Sequence, residues 1–256
     1  MILDTIVARK KEEVAALKKR GIRPPEVEAP IEAPRGFMQA LVSAPGVAII
    51  AEAKKASPSK GVIQPHFNPQ KIALNYKQGG AQAMSVLTDK DFFQGSLDYI
   101  PLVRSTVHIP VLRKDFIIDP LQIEEAAVFG ADAILLIAAI LSIEQLREFR
   151  VQAEEASIDV LVEVHDEAEL EKALAAESKL IGINNRNLND FSVDLQTTFR
   201  LQQEIPQEIP IVSESGISSR DEMLCLQEAG ITAALIGESL MRSNTQGEML
   251  RHFLSI

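Results

Sequence analysis

The sequence predicts an α/β protein of the (β/α)8 class, a TIM barrel with an N-terminal helical extension. Two positive observations and one negative one lead there. From residue 47 onward, eight short apolar runs rich in β-branched residues recur, and segments with helical periodicity separate them. Strands alternating with helices imply parallel strands joined by crossover helices, and eight such units at a spacing of roughly 20–25 residues fill a closed barrel of about 250 residues. The doubly wound alternative needs a glycine-rich fingerprint after its first strand, where this chain reads AKKASPSKG.

Taken in order, residues 2 to about 20 read as an amphipathic helix. Leu3, Ile6, Val7, Val14 and Leu17 share one face, and Gly21 stops it. Its lysines and arginines alternate with acidic residues, which reads as a solvated face and not as a membrane-binding one. Residues 23–35 carry Pro24, Pro25, Pro30 and Pro34 and should be an extended connection. Residues 1–45 are thus expected to be an appendage, covering one end of a single barrel domain that spans 1–256. Strands follow at VAIIAEAK (47–54), AMSVLT (83–88), IPVLRK (109–114), AILLIA (133–138), DVLVEV (159–164), KLIGINN (179–185), IPIVSE (209–214) and AALIG (233–237). Helical patterning marks 121–130, 143–156, 167–177 and 219–230. Gly80, Gly130 and Gly230 sit where left-handed helix caps belong, and Pro110 and Pro210 lead into strands, where a missing N–H is tolerated.

Composition narrows the function. Lys and Arg total 26 against 36 Asp and Glu, a net charge of −10 with no basic block, so neither nucleic acid nor an anionic membrane is an expected partner. No apolar run approaches the roughly 18 residues of a membrane span, and the first twenty residues lack a signal-peptide core. Cys225 is the only cysteine, which excludes an intrachain disulfide, and its place in EMLCLQE reads as a small core residue. His66, His108, His165 and His252 have no paired spacing, so no metal site is expected. The expectation is a cytoplasmic monomer acting on a small molecule.

Barrels of this class place their chemistry at the C-terminal strand ends. Alternation sends Ile50, Glu52 and Lys54 to one face of the first strand, and the intervening Ala51 and Ala53 suit packing beneath the helices, so Glu52 and Lys54 should point into the mouth. The third strand ends in Arg113-Lys114-Asp115, the fifth in Glu163, the sixth in Asn184-Asn185-Arg186 and the seventh in Glu214-Ser215-Gly216. Any one of these could be a solvated rim residue. Together, two ammonium groups and three carboxylates in one mouth carry a desolvation cost that active sites exploit and scaffolds usually avoid. SESGISS (213–219) and IGESLMR (236–242) occupy the loops after strands seven and eight, where barrel enzymes commonly hold phosphate. Gly216, Gly237 and the Glu238 amide would approach the anion, with Ser57 closing from the first loop. His165, two residues beyond Glu163, could reach the mouth; a supporting or solvent-facing role is expected for it.

AEAKKASPSKG (51–61), LTDKDFFQGS (87–96), RKDF (113–116), LVEVHDEAEL (161–170), GINNRNL (182–188), SESGI (213–217) and GESLMR (237–242), in this order, resemble the indole-3-glycerol-phosphate synthases of tryptophan biosynthesis. The resemblance covers essentially the whole chain. It implies a cofactor-free lyase that closes, decarboxylates and dehydrates 1-(2-carboxyphenylamino)-1-deoxyribulose 5-phosphate. It also implies Lys114 as the acid at the ketone oxygen, Glu163 as acid/base for dehydration, and Lys54 as a substrate-holding group that assists proton transfer. Glu52 and Glu214 would tune the lysines, and Asn184 and Arg186 would orient the anthranilate carboxylate or the hydroxyls. Ser57, Gly216, Gly237 and the Glu238 amide would take the phosphate, with Ser215 also binding substrate, while Pro58, Phe93, Phe116 and Leu135 would line an aromatic slot. A neighbouring ammonium would lower the Lys114 pKa and neighbouring carboxylates would raise it; sequence leaves both directions open. One departure is QPHFNP (64–69), where family members often carry acidic residues before the Phe-x-Pro turn. The rivals are a related phosphosugar isomerase, which would want a Cys/Asp pair at strand ends, and a non-catalytic phosphate-binding barrel, which would not need Lys114 and Glu163.

Overall fold

A computed structural model describes residues 2–27, 30–188, 190–243 and 245–255. Eight parallel strands close on themselves: β1 (Ala48–Ala53), β2 (Ala83–Leu87), β3 (Val111–Lys114), β4 (Ala133–Ile137), β5 (Asp159–Val164), β6 (Ile181–Asn184), β7 (Ile211–Glu214) and β8 (Ala233–Ile236), with β8 paired to β1 (Ile50 opposite Leu235). Around them run α3 (Pro69–Gly79), α4 (Tyr99–Arg104), α5 (Pro120–Val128), α6 (Ile143–Glu155), α7 (Glu167–Ala175), α8 (Gln196–Leu201), α9 (Arg220–Glu228), α10 (Glu238–Arg242) and α11 (Gln246–Leu254), following α1 (Ile2–Arg20) and α2 (Phe37–Val42). The eight expected strands all form.

Alternation explains the two cores. Ile49, Ala51 and Ala53 of β1 face the helices with Met84, Val86, Ile134, Leu136, Val162 and Ile183. Ile50, Ala83, Leu112, Leu135, Leu161, Val212 and Leu235 fill the barrel interior. The polar side chains of the site stand on this inner set, one step nearer the C-terminal strand ends. The helix termini follow local chemistry. Ser142 and Ser219 form capping boxes with Gln145 and Glu222 at α6 and α9, and the Asn68 side chain accepts from the Lys71 amide at 2.9 Å to start α3 at Pro69. Gly80, Gly130 and Gly230 adopt the positive φ expected of them.

The N-terminal appendage covers both ends of the barrel, where one was expected. α1 lies against the mouth, since Ile2, Leu3 and Ile6 line the cavity there. Lys10, only 2% exposed, bridges Asp89 after β2 and Asp115 after β3, both at 2.8 Å. The proline-rich stretch, of which residues 28 and 29 lie outside the described residues, descends the outside: Arg23 donates to Asp98, Arg104 donates to the Glu32 carbonyl, and Arg35 donates to the Val107 carbonyl. α2, which hydrophobic patterning did not reveal, then plugs the opposite end. Phe37 and Leu41 enter the interior cluster, and the Met38 amide donates to Asp159 at the start of β5 (2.8 Å). The SPSKG segment also differs from the expected simple loop: Ala56–Ser57 and Gly61–Val62 pair as an antiparallel ribbon beside the mouth. Cys225 is exposed on α9, which corrects its reading as a core residue; the buried face of that helix belongs to Met223 and Leu226.

Candidate active site

A cavity of about 460 Å³ opens at the C-terminal ends of the strands, within the range of small-molecule sites. Every residue singled out from sequence for catalysis or binding lines it: Glu52, Lys54, Ser57, Pro58, Phe93, Lys114, Phe116, Leu135, Glu163, Asn184, Arg186, Glu214, Ser215, Gly216, Gly237 and Glu238. Arg113 and Asn185 depart from the strand-end group. Their neighbours Lys114 and Asn184 take the inward positions, so alternation sends these two outward. Arg113 donates to the Gln122 carbonyl and to Glu125, while Asn185 donates to Ser213 and to the carbonyls of Glu214 and Ser215. This last contact has local work to do, because Ser215 (φ 65°) and Gly216 (φ 82°) are consecutive left-handed residues. A serine there is unfavourable without such support.

Lys114 is the centre of the site. Its Nζ donates to Glu214 Oε2 at 2.5 Å, across the barrel from β3 to β7, and to Glu163 Oε2 at 3.3 Å. A second pair, Lys54 Nζ to Glu52 Oε2 at 2.5 Å, stands on β1 and the segment after it. Two glycines make room for these carboxylates. A Cβ on Gly182 would overlap Glu214 Oε1, and one on Gly237 would overlap Glu52 Oε2. The close approach of a strand backbone to a buried carboxylate explains glycine at these two positions.

The electrostatics resolve the direction that sequence left open. Burial works to lower the Lys114 pKa, but Glu214, Glu163 and Glu52 outweigh it, so the ammonium is held well above its ordinary value. Glu214 is pushed up to about 7, by burial first, with the Glu163 charge adding to it against the attraction of Lys114. Its Oε1 is buried without a hydrogen-bond partner, consistent with a carboxyl that holds a proton near neutrality. Glu163 moves the other way: burial opposes its ionisation, yet Lys114, His165 and Asn184 more than compensate and lower its pKa. Glu52 is likewise lowered, burial being overcome by Lys54 and Lys114.

Elsewhere on the wall, the Phe93 and Phe116 rings meet in a tilted pair, 34° between planes and 6.0 Å between centroids. Ser215, Gly216, Gly237 and Glu238 follow β7 and β8, which an eight-stranded barrel sets across from β3 and β4. Sequence reasoning missed Ile2, Leu3 and Ile6 of α1, and also Leu188, Phe191 and Arg242. The apolar face of α1 was legible, but no residue pattern says that it docks on the mouth. Arg242, paired to Glu238 at 3.0 Å, lay within a motif already noted.

A closed parallel barrel whose mouth gathers an ammonium–carboxylate cluster opposite two glycine-bearing loops defines a (β/α)8-barrel enzyme with acid–base chemistry. Solved barrels agree on the fold. The structure called KGPDC from Streptococcus mutans covers 82% of this chain and 96% of its own at TM-score 0.61 and 12% identity. The N-acetylmannosamine-6-phosphate 2-epimerase from Clostridium perfringens covers 82% and 93% at TM-score 0.62 and 14% identity. The chain belongs to the indole-3-glycerol phosphate synthase family, whose model matches residues 3–253. The indole-3-glycerol phosphate synthase of Desulfotalea psychrophila is 60% identical over 251 residues, 97% of this chain and 96% of that one. The synthase of Acetivibrio thermocellus is 45% identical over the full length of both chains.

Proposed function

We propose that the cavity converts 1-(2-carboxyphenylamino)-1-deoxyribulose 5-phosphate to indole-3-glycerol phosphate, CO2 and water, as a carboxy-lyase of tryptophan biosynthesis. The observation that carries this reading is the meeting of Lys114 and Glu163 at 3.3 Å inside a cavity of the right size, in a chain of this family. In ring closure, the aromatic carbon bearing the carboxylate attacks the ketone, and Lys114 protonates the oxygen. An ammonium held by three carboxylates stays fully charged at neutral pH, and it gives up its proton only as the oxygen gains alkoxide character. CO2 then leaves with its bonding electrons flowing into the iminium formed on closure, so the substrate is its own electron sink. Glu163, ionised at rest, takes up a proton during the cycle and supplies it to carry the hydroxyl away as water.

Lys54, paired with Glu52, holds an anionic end of the substrate, and Glu52 and Glu214 tune the two lysines. Asn184 and Arg186 orient the anthranilate carboxylate or the sugar hydroxyls. Ser57, Ser215, Gly216, Gly237 and Glu238 take the phosphate, and Pro58, Phe93, Phe116 and Leu135 clasp the aromatic ring. A single-domain monomer in the cytoplasm is the working unit this reading implies. No helix of the described residues is long and apolar enough to cross a membrane. The test is direct: the purified chain is given the anthranilate-ribulose phosphate, and indole fluorescence is followed. Fluorescence that rises and saturates with substrate supports the assignment; no product at saturating substrate overturns it.

A further inference from the structure

Glu163 has a second neighbour that the reaction above does not use. While Oε2 faces Lys114, Oε1 faces His165 Nε2 at 3.4 Å. That nitrogen is buried and has no hydrogen-bond partner. The other ring nitrogen, Nδ1, lies 2.9 Å from Glu169 Oε2, and the same oxygen accepts from the His165 amide, also at 2.9 Å. Glu169 sits in the first turn of α7, one turn beyond His165, so β5 and the start of α7 fix the line Glu169–His165–Glu163. The charged groups facing the ring are Glu169, Glu163 and, farther off, Glu214. Exposure rises along the line, from 6% for the Glu163 side chain to 12% for His165 and 15% for Glu169.

The reaction's proton balance gives this line a task. Written with its carboxylate ionised, the substrate plus one proton yields indole-3-glycerol phosphate, CO2 and water. Lys114 gives a proton to the ketone oxygen. In dehydration the C–O bond breaks with its electron pair going to oxygen, which takes the Glu163 proton and leaves as water. The neighbouring C–H bond then breaks, its electrons form the ring double bond, and its proton restores the Lys114 ammonium. Glu163, an anion at rest, must therefore take up one proton in every cycle before it can give it, and its cavity face is the one that substrate and product cover.

We propose that His165, oriented by Glu169, is a positioning and relay residue that brings this proton to Glu163, taking it up at Nδ1 and delivering it from Nε2. The inference rests on the synthase reading above. An imidazole serves because one nitrogen can accept as the other donates, and a fixed Nδ1 partner settles which nitrogen faces the acid.

The test follows turnover by rapid mixing and in the steady state. Because Glu163 rests as an anion, the first turnover of His165→Ala and all later ones should slow alike, by about tenfold, less than the 10²-fold or more of losing the acid itself. KM should stay within about twofold, and added imidazole should recover turnover. Glu169→Gln should show a smaller loss of the same kind, and it keeps the test open should the alanine variant fold poorly. A variant with wild-type turnover, or one slowed but deaf to imidazole, overturns the relay. Wild-type protein that makes no indole product overturns the synthase reading itself, so the two failures are distinguishable.

Discussion

The Lys114 ammonium spans the barrel between two carboxylates of opposite behaviour, and that contrast is what its neighbourhood achieves. Glu163 is stabilised as an anion, whereas Glu214 is pushed up to about 7 because burial and the Glu163 charge outweigh the lysine. Replacing Lys114 with alanine should lower kcat by at least roughly 10²-fold, the usual scale for a general acid, in a steady-state fluorescence assay; wild-type turnover would move the acid elsewhere. Below about pH 7 Glu214 is neutral and leaves Lys114 a freer donor; above it the new charge binds the ammonium more tightly. kcat/KM should therefore fall as pH rises through that region, and Glu214→Gln should flatten the limb. Gly182→Ala should reproduce part of the Glu214 defect, because the added methyl occupies the space of Oε1. Its pH profile measured beside that of the glutamine variant checks this.

Among elements, α1 has its most consequential contact at Lys10. Buried beside Asp89 and Asp115, this ammonium ties the helix to the segments that carry Phe93 and Phe116. Lys10→Met would take the lysine from buried Asp89 and leave Asp115 to Arg113 at 3.1 Å, a loss of about 3–5 kcal/mol by the precedent of broken buried pairs. Urea unfolding measures the cost, and a raised KM would report the slot loosening; unchanged stability would mean that α1 docks through its apolar face alone. Ser142 at the head of α6 is a contrast. Its capping box lies on the barrel's outside, so Ser142→Ala should cost about 1 kcal/mol and leave kcat untouched.

The whole molecule should be most sensitive to acid. Asp115, Glu52 and Glu163 all have native pKa values below their ordinary 3.8–4.5, so the stability they confer is present above that range and is lost as pH falls through the native values. Glu214 runs the other way: it favours the fold most below its ordinary 4.5, and that contribution is lost as pH rises through about 7. Urea midpoints should accordingly drop steeply below about pH 4 and slope gently downward from pH 5 to 7. Glu214→Gln should remove the gentle slope only.

What could be read directly from the residues was whatever has a short period or a local turn: eight β-branched runs, the inward parity of Glu52 and Lys54, the glycine and proline punctuation, and the motif order that marks the family. Alternation along a strand is a local geometric fact, so parity and the mouth residues followed from it. Only the closed barrel could decide that Glu214 reaches Lys114 from across the axis, that this lysine's pKa rises, and that Arg113 and Asn185 turn outward. Only packing could send α1 and α2 to opposite ends. These outcomes depend on burial and on distances between residues far apart in the chain, and no local pattern encodes either.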